Sequence, residues 1–451
     1  MDTIISAVEQ IVGLLYQFDW SDPACLDPLT LDDLASSSCD ICINLTETPL
    51  KPSRYNYIVH TKSGYILYNT FFNSLSRLNQ QEYDTFCSPE CCSIRLKEQL
   101  VEQGFLLPQT IDELDVYYRL TSFLHHQITR PLRVVLAPTM ECNARCFYCY
   151  EAGVTHGKMG QETIDQVVAW IADKAAQKGV DIVWFGGEPL LGVTCIDEIS
   201  AKLTEKAIPF SSYMITNGSL LDDTSLPEQI KRWNLRHVQI TIDGDESEYL
   251  KRKNYAAAIP NCYEKLMNHM ETLAKNDIHV FIRLNIDRHN IMSIYQAASE
   301  IEHRFSEYSN VSFYPAFLTG SDDPLAEEDK IEVIRGILSR AKTVMGLSMK
   351  SKLYELPRIS ACDINNPNFF AIDSNGTVYS CEHDIGKKHL SIGSITNPTL
   401  NNERPIPGQR SECRACSFLP KCFGGCHSAY VNGDDPCFEN KYMIKAYLEL
   451  L

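Results

Sequence analysis

Three cysteines, Cys142, Cys146 and Cys149, stand at C-x3-C-x2-C spacing directly after the apolar run 132–138. No other stretch constrains the chain as much. Three thiolates from one loop can cap three corners of an iron–sulfur cubane and leave the fourth iron without a protein ligand. Iron with an open position is a reaction site. The competing reading is a zinc loop, but zinc knuckles favour paired C-x2-C units that close a four-ligand shell, and no fourth local ligand stands here.

At 451 residues the chain exceeds one ordinary core, so two or three domains are expected. Its 41 basic and 58 acidic residues give a net charge of −17, which repels phosphate backbones and anionic lipid. Nucleic acid and membrane are therefore not expected as main partners. The start, Met1-Asp2-Thr3, lacks the basic region of a signal peptide, and no apolar run reaches transmembrane length, so a cytoplasmic chain is expected. In a reducing compartment its 18 cysteines point to metal or redox chemistry and not to disulfides.

Ile4, Val8, Ile11 and Leu15 recur at helical spacing and predict a short amphipathic helix at the start. A stretch rich in Ser, Asp and Pro follows. Cys39 and Cys42 form a C-x2-C pair there, which Cys87 with Cys91 or Cys92 could complete to a four-thiol site. Residues 55–60 and 65–69, around the turn Thr61-Lys62-Ser63-Gly64, predict two strands; 81–86 and 93–103 predict helices, and 105–107 a short strand. A hairpin followed by helices suggests a small winged-helix-like module. Such a module either offers a strand edge to a peptide or covers one end of the main fold.

From 132 to 318 apolar strands alternate with helical stretches such as 161–178 and 263–275. Strands are expected at 132–136, 182–185, 211–215, 237–242, 280–286 and 311–316. Six strands with intervening helices imply a parallel sheet of right-handed crossovers, most simply an open (β/α)6 barrel. Sites on such barrels lie at the carboxyl ends of the strands. Polar motifs fall at those ends: Gly186-Gly187-Glu188-Pro189, Thr216-Asn217-Gly218 and Asp243-Gly244. Glu188 can accept from an amino group. Arg283 and Asn285 share one face of the fifth strand, and an arginine suits bidentate carboxylate recognition.

The cysteine spacing followed by this order of motifs resembles the radical S-adenosylmethionine enzymes over about residues 132–320. The resemblance implies a [4Fe-4S] cluster on Cys142, Cys146 and Cys149 whose free iron chelates the amino and carboxylate groups of S-adenosylmethionine. It also implies cofactor contacts from Gly186, Gly187, Glu188 and Pro189, and from Thr216, Asn217, Asp243, Arg283 and Asn285. Reductive cleavage of the cofactor would then release a 5′-deoxyadenosyl radical that abstracts hydrogen from an unactivated C–H bond.

Seven further cysteines, Cys362, Cys381, Cys413, Cys416, Cys422, Cys426 and Cys437, occupy only 76 residues. Their number and turn-rich setting fit two clusters. This run resembles the SPASM domain, which implies one auxiliary [4Fe-4S] cluster on Cys362, Cys381 and Cys426 and another on Cys413, Cys416, Cys422 and Cys437. The first would lack a fourth thiolate. Its last iron is open, to a substrate thiolate for instance, or is held by Asp363, His383 or Asp384, and the cluster could equally serve as an electron relay. Glu382 stands where the related anaerobic sulfatase maturases carry a catalytic aspartate; a solvated loop acid is the alternative.

The architecture expected is thus a recognition module over 1–125, a radical SAM barrel over 130–330 and a SPASM domain over 331–451. Radical SAM/SPASM peptide maturases carry such an N-terminal extension to capture a leader peptide. The expected function is thioether formation from cysteine sulfur to carbon in a ribosomally made, cysteine-containing precursor peptide, fed by a low-potential donor such as ferredoxin or flavodoxin. Formylglycine formation, C–C crosslinking and epimerisation are the alternatives. Three clusters predict roughly twelve irons per chain, falling to about eight when the opening cysteines become alanine. Anaerobic iron and sulfide analysis checks this, and a zinc loop would return no sulfide.

Overall fold

The computed structural model describes residues 45–451 except 46, 128–130, 155–156, 176–177, 321–322, 356, 359–361 and 398–409. The expected helix within 1–20 and the pair Cys39 and Cys42 lie outside the described residues.

The N-terminal hairpin forms as expected. β2 (Asn56–Thr61) and β3 (Gly64–Asn69) pair antiparallel, and a third strand, β4 (Leu75–Leu78), extends them to a meander. Helices Gln80–Cys87, Ile94–Glu102 and Glu113–Gln127 follow. Asn79 caps the first of these in a reciprocal capping box with Glu82, which fixes where it begins. The apolar stretch after the second helix becomes β5 (Leu106–Pro108), but it pairs with β1 (Leu50–Pro52) and not with the hairpin. Leu67 and Leu78 pack with Phe86, Leu100 and Leu106 on the helical side. Val59, Ile66 and Tyr68 pack on the opposite side against Leu353, Phe418, Ile444 and Leu448. The module is therefore covered on both faces, once by its own helices and once by the C-terminal region.

β6 (Leu132–Thr139), β7 (Val180–Gly186), β8 (Phe210–Thr216), β9 (Leu235–Ile242), β10 (His279–Ile286) and β11 (Val311–Phe317) pair in parallel in chain order, with helices between them. Alternation sets the two faces. Val134, Leu136, Ile182, Trp184, Ile240, Ile282 and Leu284 point to the helical layer, where helix Gln161–Ala175 lays down Ile164, Val167, Val168 and Ile171 at helical spacing. Val135, Ala137, Val183 and Phe185 point inward. Deeper in the interior Tyr213 and Tyr314 both donate to Gln239 Oε1, at 2.9 and 2.8 Å. Side chains fill that part of the barrel, and only its carboxyl end is left for chemistry.

Among the described residues the C-terminal region carries no sheet of its own. β12 (Phe369–Ile372) adds in parallel to the free edge of β6, and β13 (Thr377–Tyr379) and β14 (Ser391–Ser394) continue antiparallel, giving nine strands in the order β11-β10-β9-β8-β7-β6-β12-β13-β14. Phe370 and Ile372 join the outer core, Phe369 and Ala371 the inner one. The expected boundary near 331 is crossed by a shared sheet. Phe370, 3% exposed and edge-on to Trp170 at 5.1 Å, sits at that junction. Phe370→Ala is expected to cost about 3–5 kcal/mol in chemical denaturation. Barrel and C-terminal fluorescence or exchange probes should shift together, because one sheet carries both.

Candidate active site

The cysteine loop leaves β6 at its carboxyl end and is fastened from three sides. Glu141 N donates to Thr139 Oγ1 at 3.1 Å as the loop begins. Asn143, between two of the cysteines, donates to Ser219 Oγ (2.9 Å) and accepts from Asn217 Nδ2 (2.8 Å), which ties the loop to the end of β8. Arg145 N donates to Lys253 O at 2.8 Å, which ties it to the helix after β9, Glu246–Lys253. Cys149 N donates to Cys146 O at 3.2 Å and closes a turn.

That helix supplies two cations. Its start is capped by Asp245, which accepts from Glu248 N, and its last turn carries Lys251, Arg252 and Lys253. Arg252 forms a bidentate pair with Asp287 (2.8 and 2.9 Å) and lies 5.3 Å over the Phe147 ring. Lys253, 2% exposed, reaches Asp243 at 3.0 Å, Thr241 Oγ1 at 2.6 Å and Tyr148 OH at 3.2 Å. Burial works against the Lys253 charge, but the Asp243 carboxylate overrides it and holds the ammonium well above its usual range. Tyr148 donates in turn to Asp243 Oδ1 at 2.5 Å, and Asn285 Nδ2 to the same oxygen at 3.1 Å. Two of the expected site residues, Asp243 and Asn285, are thus brought together with two that sequence reasoning missed.

Glu188 is fully buried at the end of β7 and accepts from Thr216 Oγ1 (2.6 Å), Asn217 N (2.9 Å) and Leu190 N (3.1 Å). Burial raises its pKa while these bonds oppose it. Three of about four acceptor positions on the carboxylate are filled by protein, leaving room for about one donor from a ligand. Pro189 begins the short turn Pro189–Gly192 that follows. The two glycines have a reason inside the chain. A Cβ at Gly186 (φ 100°) would meet Thr139 O at 2.4 Å, and one at Gly187 would meet Glu141 O at 2.3 Å. They seat β7 against the root of the cysteine loop.

The three thiols are free, and burial pushes Cys142 up to about 11 and raises Cys149 as well. Among the described residues no three His, Cys, Asp or Glu side chains converge tightly enough for one metal ion. Thiolates on a single zinc, about 2.3 Å from it, lie only about 3.8 Å apart. A cubane holds its thiolates further apart, on three different irons, and takes them deprotonated. The loop, desolvated and carrying three sulfurs, fits that group.

The later thiols fall into two sets. Cys362 lies within electrostatic reach of Cys426 and Cys381 of Cys362, while Cys422 feels Cys416, Cys437 and Cys413. Glu382 acts on both Cys362 and Cys426. Its own pKa is raised by burial and by Asp363, against the pull of Arg133 and Arg283. Asp363 pairs with Arg133 at 3.1 Å. His383 stacks on Tyr150, ring centroids 4.5 Å apart, which joins the cysteine loop to the turn after Cys381. Arg283 faces Tyr314, Glu439, Tyr150 and Glu382, on the side of the later thiols, and its buried Nε has no hydrogen-bond partner. Glu151, pushed up to about 7 by burial and by Glu382, faces the same space. Glu151 and Glu439 carried no signal in the sequence. In the N-terminal module Cys87 and Cys91 are exposed, whereas Cys92 is buried and directed at Thr85 O.

Residues 136–301 match the Radical SAM superfamily. That segment is a radical SAM domain. A cysteine-type anaerobic sulfatase-maturating enzyme of Clostridium perfringens is 22% identical over 368 residues, spanning 71% of this chain and 95% of that enzyme. A serine-type enzyme of Klebsiella pneumoniae is 23% identical over 341 residues, spanning 67% and 83%. Among solved structures, native anSMEcpe with bound AdoMet and Kp18Cys peptide superposes with a TM-score of 0.55 at 18% identity, over 71% of this chain and 96% of that one. The fold is shared.

Lys253→Met would leave the Asp243 charge buried and alone, and is expected to destabilise the enzyme by about 3–5 kcal/mol. Adding Asp243→Asn should recover most of that loss. Denaturant midpoints of the single and double variants check the pair, and equal midpoints would sink it.

Proposed function

We propose that this radical SAM enzyme modifies a ribosomally made precursor peptide and most readily forms a thioether from a cysteine sulfur to a carbon. One observation carries the reading. The seven later cysteines are taken as a set of three and a set of four, since Cys362 has Cys426 and Glu382 as charged neighbours and Cys381 has Cys362, while Cys422 has Cys416, Cys437 and Cys413, and His383, two residues beyond Cys381, stacks on Tyr150 next to Cys149. In this reading Cys142, Cys146 and Cys149 hold the first cluster, and S-adenosylmethionine on its open iron supplies a 5′-deoxyadenosyl radical. Glu188, Thr216 and Asn217 then bound the cofactor's amino end. Cys362, Cys381 and Cys426 hold a cluster without a fourth thiolate, and Cys413, Cys416, Cys422 and Cys437 hold another. Asp363 is engaged by Arg133 and His383 is stacked on Tyr150, and the reading gives the open position to a substrate thiolate, with Asp384 the remaining protein alternative.

Thioether formation removes one hydrogen from carbon and one from sulfur and joins the two atoms. The hydrogen atom from carbon would leave with deoxyadenosine, the thiol proton would pass to a base, and the remaining electron would go to an acceptor that the later clusters would supply. In this reading Glu382, whose pKa is raised by burial and by Asp363, takes the proton. The buried side chains of the barrel exclude water from the radical. In this reading the N-terminal module, a three-stranded meander with three helices, receives a leader peptide, and a ferredoxin or flavodoxin supplies electrons. Among the described residues no helix is long and apolar enough to cross a membrane.

Formylglycine formation is the second reading, favoured by the relatives named above. Product mass separates the two. A thioether lowers the peptide by two hydrogens per bond and keeps its sulfur, formylglycine from cysteine loses the sulfur, and epimerisation leaves the mass unchanged but takes up solvent deuterium. Deoxyadenosine should accumulate with the product. Glu382→Gln is expected to lower turnover by about 10²–10⁴-fold, the usual range for loss of a general base; unchanged turnover would remove Glu382 from the mechanism.

A further inference from the structure

The loop that carries Cys413, Cys416 and Cys422 has few regular elements of its own, only the four-residue turns Ser411–Arg414 and Leu419–Cys422. Backbone carbonyls in such a loop need donors from elsewhere. The N-terminal module supplies them. Arg54 donates to Arg414 O and Thr70 Oγ1 to Ser417 O, while Tyr117 OH, with one proton to give, donates to Arg358 O at 2.6 Å and lies 3.3 Å from Leu419 O. Thr70 and Tyr117 are fully buried. Apolar contacts run beside these bonds. Phe418, 2% exposed, meets Tyr57 edge-on at 5.0 Å, Phe423 meets Tyr117 at 6.0 Å, and Cys416 packs on the cluster of Val59, Ile66 and Tyr68. Lys421, 1% exposed and next to Cys422, completes the seam by donating to Asn73 Oδ1 of the module and to Leu353 O at 3.2 Å.

We propose that the N-terminal module is the clamp that sets the ligand geometry of the Cys413–Cys422 loop, with Thr70 and Tyr117 as positioning residues, so that module docking and iron occupancy of the four-thiol set are coupled. The inference rests on the reading of Cys413, Cys416, Cys422 and Cys437 as a cluster site. Donors from one unit fix the loop of another. A cluster that binds only the fixed loop stabilises the docked module, and the docked module strengthens the hold on the cluster by the same factor. Removing residues 1–120 therefore strips an iron site as well as a peptide-recognition surface, and lost activity on that truncation does not demonstrate a leader.

The test uses the full chain. Tyr117→Phe with Thr70→Val removes two hydroxyls and keeps the volume. In cluster-free protein, amide hydrogen exchange over 411–423 is expected to rise roughly tenfold, with exchange in β10 unchanged as the internal measure of folding. In reconstituted protein about four of roughly twelve irons should pass to a chelator severalfold faster than from the unaltered chain. In the reverse direction, Cys413→Ser with Cys416→Ser should lower total iron by about four and raise exchange in β2 and β3. Total iron unchanged in that cysteine variant overturns the cluster reading. Iron lost there, but exchange over 411–423 and chelator release unchanged in the hydroxyl variant, overturns the clamp alone.

Discussion

The buried pair of Lys253 and Asp243 is the interaction on which the site depends. Both groups are withdrawn from water, at 2% and 0% exposure, and a lone buried charge of either sign would cost several kcal/mol. Each therefore has to find the other, and they come from different elements, Asp243 from the turn after β9 and Lys253 from the end of the following helix. Once paired, the two fix what surrounds them. The Lys253 carbonyl holds Arg145 and its ammonium approaches Tyr148, so the cysteine loop inherits its position from an ion pair it does not contain.

Glu188 has a parallel role on the other flank. Its carboxylate collects donors from Thr216, Asn217 and Leu190, which locks the ends of β7 and β8 together before any ligand arrives. Asn217 then passes the constraint to Asn143 inside the loop. Residues that look like ligand contacts in sequence are thus half committed to the protein. Pre-organisation of this kind is what a radical site needs, because groups already ordered lose little freedom when the cofactor binds.

The barrel was legible because its strands alternate: all six fall within three residues of where the apolar pattern of 132–318 places them, and so do the hairpin and the first two helices of the module, while its third helix, Glu113–Gln127, was not expected. Local pattern says nothing about pairing between distant segments. β12 is four residues long, and its partner β6 lies more than 230 positions earlier; no periodicity announces that the cysteine-rich region finishes the barrel sheet. The run 246–253 reads as a solvated charged helix, yet Arg252 and Lys253 are buried because Asp287 and Asp243 arrive from other strands. Arg283 was legible as an inward residue. Its neighbours were not, since Glu439 and Glu382 come from the last 70 residues.

The two cysteine-rich regions meet at Tyr150 and His383. Tyr150 follows Cys149 and His383 lies two residues beyond Cys381, so their stack couples the position of one thiol loop to that of the other. Val154 extends the contact by packing where Gly386 has no side chain; a Cβ there would meet Val154 Cγ1 at 2.4 Å. Across this seam burial and Glu382 raise the cost of ionising Glu151, against Lys387, while burial and Asp363 raise that of Glu382, against Arg133 and Arg283. Such a junction tolerates little independent motion. A shift of the later thiols must move Tyr150, and with it the end of the loop that begins at Cys142, so the positions of the two thiol loops are set together.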